Sequence, residues 1–338
     1  MTDRHRILLA ETDRGAAMAL AQSLQKTGFD VSIAGDAAHV LNLARQEKPD
    51  VIVLSGQLAG GGLAVLKRLR SNVYTAHIPI VAIAGRAGAT RDDLLGAGAQ
   101  ECIGTPVDYA KVRAAVDSHL LQSLDFTQAP PEVLAAPERL ADLEETGLLD
   151  SPPQESFDLL TRLTAKLLGA PVALVTLVDK DRQFFKSQCG LAEPWAGARQ
   201  SRLSHSFCQW VVSGKEELVV RDANSHPTLK HNLAIQDMNV VAYAGVPIRG
   251  RSRQAIGSFC AIDSKPRDWS EAELALLRDL AVVSEACAQS ELKKPSSKTA
   301  ASAIAGISRI LRSQRSKMVP TELDQLLELA EKQALSLA

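Results

Sequence analysis

Aromatic residues are scarce in this chain: Phe, Trp and Tyr together make up 4% of it, so its cores must be built from Leu, Val, Ile and Ala. Charge of one sign is lacking too. The 38 Lys and Arg stand against 39 Asp and Glu, a formal net charge of -1, which removes any global electrostatic pull toward nucleic acid or anionic lipid. No apolar run approaches the roughly 18 residues of a membrane span, and Met1 to Arg6 lead straight into a short apolar run rather than a signal peptide. The expectation is a cytoplasmic protein with no membrane insertion and no nucleic acid partner. The five cysteines (Cys102, Cys189, Cys208, Cys260 and Cys287) are widely spaced and form no CxxC pair, so neither a disulfide framework nor a zinc site is indicated. What is present is ordinary for a soluble chain of 338 residues, 46% hydrophobic and 23% charged, long enough for two domains.

Residues 6 to 121 alternate short apolar runs with amphipathic patterns. Ile7–Ala10, Val51–Leu54 and Ile80–Ile83 are continuous apolar runs, as a parallel sheet buried on both faces requires. Helical spacing covers 14–27, closing at Gly28, then 62–71 and 108–121. Alternating β and α predicts an α/β doubly wound sheet, with ligands and chemistry beyond the carboxyl ends of its strands.

The blocks RILLAETD, PDVIVLS, IPIVAIAGR and GAQECIGTPV resemble the receiver domain of two-component response regulators, in order and spacing, over residues 6 to 121. The resemblance implies a five-stranded parallel sheet and a phosphoryl transfer to a carboxylate held on Mg²⁺. It also implies the positions that perform it, and most are altered here. Glu11 keeps one acid; Thr12 replaces its neighbour and Asp13 follows. Ser55 occupies the phosphoacceptor position, Ala84 the hydroxyl switch, Cys102 the aromatic switch and Thr105 the lysine. Mg²⁺ seeks carboxylate oxygens that are gone, a serine without a base is a weak nucleophile, and Thr105 offers no cation to the phosphoryl oxygens. Ser55 is either a strand-end residue, the preferred reading, or the target of a kinase acting by another route. The expectation is a pseudo-receiver over 1–122 with no catalytic residue, no metal and no cofactor.

A proline-bearing stretch, 123–137, reads as a linker. Beyond it, helical patterns at 138–147 and 155–168 precede apolar strands at 172–179 and 183–187, a hairpin over 240–262, and a helix from 271 to about 292 launched by a Ser270/Glu273 capping box. This is an α+β plan. The segments ERLADLEETGLLDSPPQESFDLLTRL, ALVTLVDKDRQFFKS, LSHSFCQWVV, LVVRDANSHP, AYAGVPI and IGSFCAIDS resemble a GAF domain, here 138–292, with an antiparallel sheet. The resemblance implies a pocket that takes a small molecule in some members and nothing in others, and similarity to sensory units ahead of bacterial kinases and cyclic-di-nucleotide enzymes.

Candidate pocket residues are His205, Ser206, Phe207, Cys208, Asp222, Asn224 and Tyr243, converging polar groups beside aromatic walls. Their plainer reading is structural: Phe207 and Tyr243 as core, Asp222 and Asn224 as turn caps, Cys208 as a small buried apolar group. Trp210 stands where a histidine would order a bilin, against a phytochrome-like chromophore. His205, His226 and His231 are candidates for haem ligation but read as solvated. An enzymatic alternative is a thiol-based redox sensor, or a methionine-sulfoxide-reductase-like GAF enzyme using Cys208, with Cys189 and Cys260 nearby.

Residues 293–318 carry Lys and Arg with no acid, and an acidic-apolar helical pattern follows; this basic linker and C-terminal helix suit partner docking or packing on the domain itself. The chain reads as a regulator acting by protein–protein contacts with a kinase or another regulator, its GAF domain sensing a small molecule or serving as a ligand-free dimeric scaffold. The helices at 138–147 and 271–292 are the expected homodimer seam.

Overall fold

The computed structural model describes residues 5–85, 89–120 and 128–290. The chain divides into two compact units between residues 126 and 127. The basic segment and helical pattern expected after residue 292 lie outside the described residues.

The first unit runs β1 (Arg6–Ala10), α1 (Arg14–Gln25), β2 (Asp30–Ala34), α2 (Ala37–Glu47), β3 (Val51–Ser55), α3 (Gly62–Ser71), β4 (Ile80–Ile83), α4 (Arg91–Gly96), β5 (Glu101–Ile103) and α5 (Tyr109–His119). Its five strands pair in parallel in the order β2-β1-β3-β4-β5, the doubly wound sheet expected. Alternate residues of the central strands point to opposite faces. Leu8, Ile52, Leu54 and Ala82 pack with Val65, Leu66 and Leu69. Ile7, Leu9, Val53 and Val81 pack with Leu20, Leu24, Val112 and Val116 on the other side. Each such Leu or Ile contributes about 1.5–3 kcal/mol by leaving water.

Local signals place the helices. Asp13, Asp36 and Asp108 accept first-turn N–H groups of α1, α2 and α5, and Thr90 with Asp93 forms a reciprocal capping box on α4. Each cap is worth about 1 kcal/mol. Arg70, buried on α3, donates to the carbonyls of Gly98, Ala76 and Ile78 and to Gln100 Oε1 at 2.8–3.0 Å. Burial lowers its pKa to about 10, so it remains a cation at neutral pH.

The second unit contains α6 (Pro131–Leu134), α7 (Pro137–Glu145), α8 (Glu155–Leu168), β6 (Val172–Val178), β7 (Arg182–Cys189), α9 (Trp195–Ala198), β8 (Gln200–Arg202), α10 (Cys208–Gly214), β9 (Leu218–Val220), α11 (Ala234–Asp237), β10 (Ala242–Arg249), β11 (Ala255–Asp263) and α12 (Glu271–Ser290). Six strands form an antiparallel sheet in the order β8-β7-β6-β11-β10-β9. Helices α8 and α12 cover one face, where Leu160, Leu163, Val175, Phe259, Leu277 and Leu280 share a core. The capping box expected at Ser270 and Glu273 is present, with the Ser270 N–H donating to Glu273 Oε2 at 2.7 Å and the Glu273 N–H to Ser270 Oγ at 3.3 Å.

Residues 128–137, read from sequence as the end of a linker, are built into this unit. Pro131 and Pro137 each occupy a first helical position, where the missing N–H costs nothing. Ala129 is buried and its N–H donates to Gln209 Oε1 at 2.9 Å. On α7, buried Asp142 accepts the N–H groups of Ser252 and Gln254 at 2.9 and 3.2 Å, clasping the turn between β10 and β11. Among the described residues no helix is long and apolar enough to cross a membrane.

Candidate functional site

The first candidate lies beyond the carboxyl ends of β1, β3, β4 and β5. The side chains of Glu11, Thr12, Asp13 and Ser55 are occupied by the backbone. Glu11 accepts the Asp13 N–H at 2.9 Å, and Asp13 accepts that of Ala16 at 2.7 Å. Thr12 bridges two loops: its hydroxyl donates to the Gly35 carbonyl at 3.0 Å and accepts the Ala59 N–H at 2.7 Å. Ser55 is 4% exposed and accepts the Gln57 N–H at 3.3 Å. The α3 backbone presses onto it, since a Cβ at Gly62 would stand 2.3 Å from the Ser55 carbonyl oxygen. Ala84 donates its N–H to the Ile103 carbonyl at 2.8 Å. Cys102 is buried, which pushes its thiol pKa up, and its carbonyl accepts from Arg91 at 2.6 Å. Thr105 precedes Pro106 across a cis peptide bond.

This donor set does not fit the Mg²⁺ implied by the receiver scaffold. Two hydroxyls stand at acid positions, and the carboxylates of Glu11 and Asp13 are engaged in holding the loop that opens α1. Among the described residues no three His, Cys, Asp or Glu side chains are grouped to hold a metal ion.

The second candidate lies on the face of the second sheet opposite α8 and α12, beneath α10. Strand alternation puts Thr176 of β6, Tyr243 and Gly245 of β10, and Ser258 and Cys260 of β11 there. Tyr243 and Gly245 share a face, and a Cβ at Gly245 would meet the Tyr243 hydroxyl at 2.2 Å; glycine leaves room for the ring to lie along the strand. The ring packs on Phe207 at 5.4 Å between centroids. Its hydroxyl donates to Cys208 Sγ at 3.3 Å and sits 3.0 Å from Ser258 Oγ. Cys208 and Cys260 sulfurs are 4.0 Å apart. Phe207, Cys208, Trp210, Tyr243 and Cys260 are all at most 3% exposed, so this interior is filled by the domain's own side chains. The Trp210 indole N–H is buried without a hydrogen-bond partner among the described residues.

The electrostatics divide the two thiols. The sulfhydryl of Cys260 and then, against the opposing effect of burial, the Tyr243 hydroxyl hold the Cys208 thiol below the usual range. Burial pushes the thiol of Cys260 and the phenol of Tyr243 well up.

The other predicted pocket residues are dispersed. Ser206 is buried, donating to Gln183 Oε1 at 2.7 Å and accepting the Gln209 N–H at 3.1 Å. His205 lies between Ser204 Oγ at 3.0 Å and Asp237 Oδ2 at 2.9 Å, against Trp195. Asp222 accepts both the backbone and side-chain N–H of Asn224 at 3.0 Å, the turn cap of the plainer reading. His226 accepts the N–H groups of Thr228 and Leu229 through Nδ1. Asp222 and His226, with Val219, Val220, Arg221 and Pro266, line a separate open groove of about 450 Å³.

Sequence reasoning missed Ser258, Thr176, Gln183 and Gln209. Alternation along β11 would have placed Ser258 and Cys260 on one face, but not which residue of β10 stands opposite. That is set by a register pairing Gly245 with Cys260 and Tyr243 with Ile262.

Comparison with known proteins identifies both domains. Residues 7–117 match the response regulator receiver domain and residues 152–286 the GAF domain. The chain is 30% identical over 145 residues to a cyclic di-GMP phosphodiesterase of Pseudomonas aeruginosa, covering 42% of this chain and only 24% of that protein. It is 30% identical over 200 residues to the DNA-binding response regulator MtrA of Mycobacterium tuberculosis, covering 57% of this chain and 79% of MtrA. Among solved structures, a response regulator from Chloroflexus aurantiacus aligns over 36% of this chain and all of its own length at 22% identity, with a TM-score of 0.34. The chain therefore belongs to the response regulator family, its receiver domain followed by a GAF domain, the architecture of a signalling regulator.

Proposed function

We propose that this regulator signals without phosphorylation, through contacts with a protein partner such as a kinase or another regulator. The observation that carries the reading is the Thr12 bridge. A side chain at an acid position of the family's site is spent on tying the Gly35 and Ala59 loops together. Around it, buried Ser55 accepts a backbone N–H and, among the described residues, no carboxylate or imidazole is hydrogen-bonded to it that would raise its nucleophilicity; Thr105 brings no cation. With no reaction to reset it, the receiver conveys shape, and whatever binds one domain biases the populations of the other. In this reading the protein is not an enzyme, works in the cytoplasm and forms a homodimer along α7 and α12. The small-molecule input of the GAF domain falls to the groove lined by Arg221, Asp222 and His226, because the interior beneath α10 is already full.

The test is incubation with acetyl phosphate and Mg²⁺, followed by intact mass measurement and hydroxylamine treatment. The expected result is an unmodified chain; a hydroxylamine-sensitive phosphoryl adduct refutes the proposal. Native mass spectrometry of the purified protein reads the oligomeric state and any retained small molecule in one spectrum.

A further inference from the structure

Beneath α10, a nucleophilic side chain has its donors and a second thiol already in place. The Cys208 sulfur receives the Tyr243 hydroxyl at 3.3 Å and touches Cys260 Sγ at 4.0 Å. The Tyr243 hydroxyl that donates to this sulfur lies 3.0 Å from Ser258 Oγ on its other side. None of these groups has a role in the proposed signalling contacts. Thiolate is the reactive form of cysteine, and donors aimed at the sulfur stabilise it. Closing a disulfide requires the sulfurs to move from 4.0 Å to about 2.05 Å. The remaining cysteines are placed differently. Cys102 is in the other unit, and Cys189 pairs in register with Ala173 on β6, which in turn pairs with Ala261 on β11.

We infer that Cys208 and Cys260 form a reactive dithiol couple that hydrogen peroxide converts to a disulfide across the interior of the GAF domain. In the first step the Cys208 thiolate attacks one peroxide oxygen. The O–O bond breaks, Cys208 becomes a sulfenic acid, and the leaving hydroxide takes up a proton as water. In the second, the Cys260 sulfur attacks the Cys208 sulfur, the S–O bond breaks, and the hydroxyl leaves as water with the Cys260 proton. Two thiols are oxidised and one peroxide is reduced to two waters. Cys208 is the attacking sulfur because it receives the hydrogen bonds; Cys260 resolves it. Both are sealed from solvent, at 3% and 0% exposure, so local opening of α10 gates the reaction. The product fastens α10 to β11 and removes the thiolate that Tyr243 addresses.

The experiment uses the full-length protein treated with hydrogen peroxide, then denatured, alkylated and mapped as peptides without reduction. The expected result is a cross-linked pair containing Cys208 and Cys260, lighter by two hydrogens than the separate peptides. Full alkylation of both, at peroxide levels that oxidise the half-buried Cys189 and Cys287, overturns the inference. The variant Cys260→Ser leaves Cys208 as a sulfenic acid that dimedone captures, whereas Cys208→Ser gives neither dimedone adduct nor cross-link. Tyr243→Phe slows cross-linking a few-fold. Should a variant fail to fold, the wild-type peptide map still decides.

Discussion

Thr12→Val isolates the bridge on which the receiver reading rests. Valine keeps the branched shape and removes the hydroxyl, so Gly35 loses a donor at 3.0 Å and Ala59 an acceptor at 2.7 Å. Each hydrogen bond contributes about 0.5–1.5 kcal/mol net. Thr12 is exposed, and water replaces part of what is lost, which puts the total at the low end, roughly 1 kcal/mol. Amide hydrogen exchange reads this locally. If opening of the loop controls exchange, the Ala59 N–H exchanges roughly fivefold faster in the variant, since 1.4 kcal/mol is tenfold. Thr12→Ser, which keeps donor and acceptor, returns the rate to that of the native protein. An Ala59 amide indifferent to Thr12→Val would mean the hydroxyl does not hold the loops, and the structural case against phosphorylation would fall with it.

Other substitutions probe the second unit. Gly245→Ala places a methyl against the Tyr243 ring, which must leave its place over the strand; overpacking of this kind costs about 1–3 kcal/mol, seen as a lower thermal midpoint. Ser270→Ala removes the cap of α12 and lowers the urea midpoint by the equivalent of about 1 kcal/mol. Glu285, half-buried on α12 and accepting the Arg249 N–H at 2.8 Å, has its pKa raised by burial from 4.5. The folded state therefore holds this proton more tightly than the unfolded chain, and stability falls as pH rises from about 4.5 through the folded value. Glu285→Gln flattens that dependence in a series of urea melts; an unchanged slope would show that another group titrates there.

Much of the fold was legible because its signals are local. The apolar runs at 51–54 and 80–83 form fully buried strands, and Ser270 caps its helix from three residues away. The short elements β8, α9 and α11 carry too few residues for any period to emerge. Prolines misled in one place: at 131 and 137 they open helices instead of breaking them, which composition cannot distinguish. At the candidate sites, identity was readable and partnership was not. Thr12 is recognisable as a replaced acid, yet its partners lie 23 and 47 residues away in sequence. Cys208 could be named from its neighbours, but its contact with Cys260 follows from strand register and from a glycine that lets Tyr243 lie flat.

The anchoring of residue 129 has a mechanical outcome. The backbone arriving there is tied by its own N–H to Gln209, the residue next to Cys208, and a few turns later Asp142 grips the tip of the β10–β11 hairpin. Displacing the backbone at residue 129 breaks a bond to the short helix that roofs the thiols. The first described residues of the second unit are therefore tied to the helix that carries Cys208.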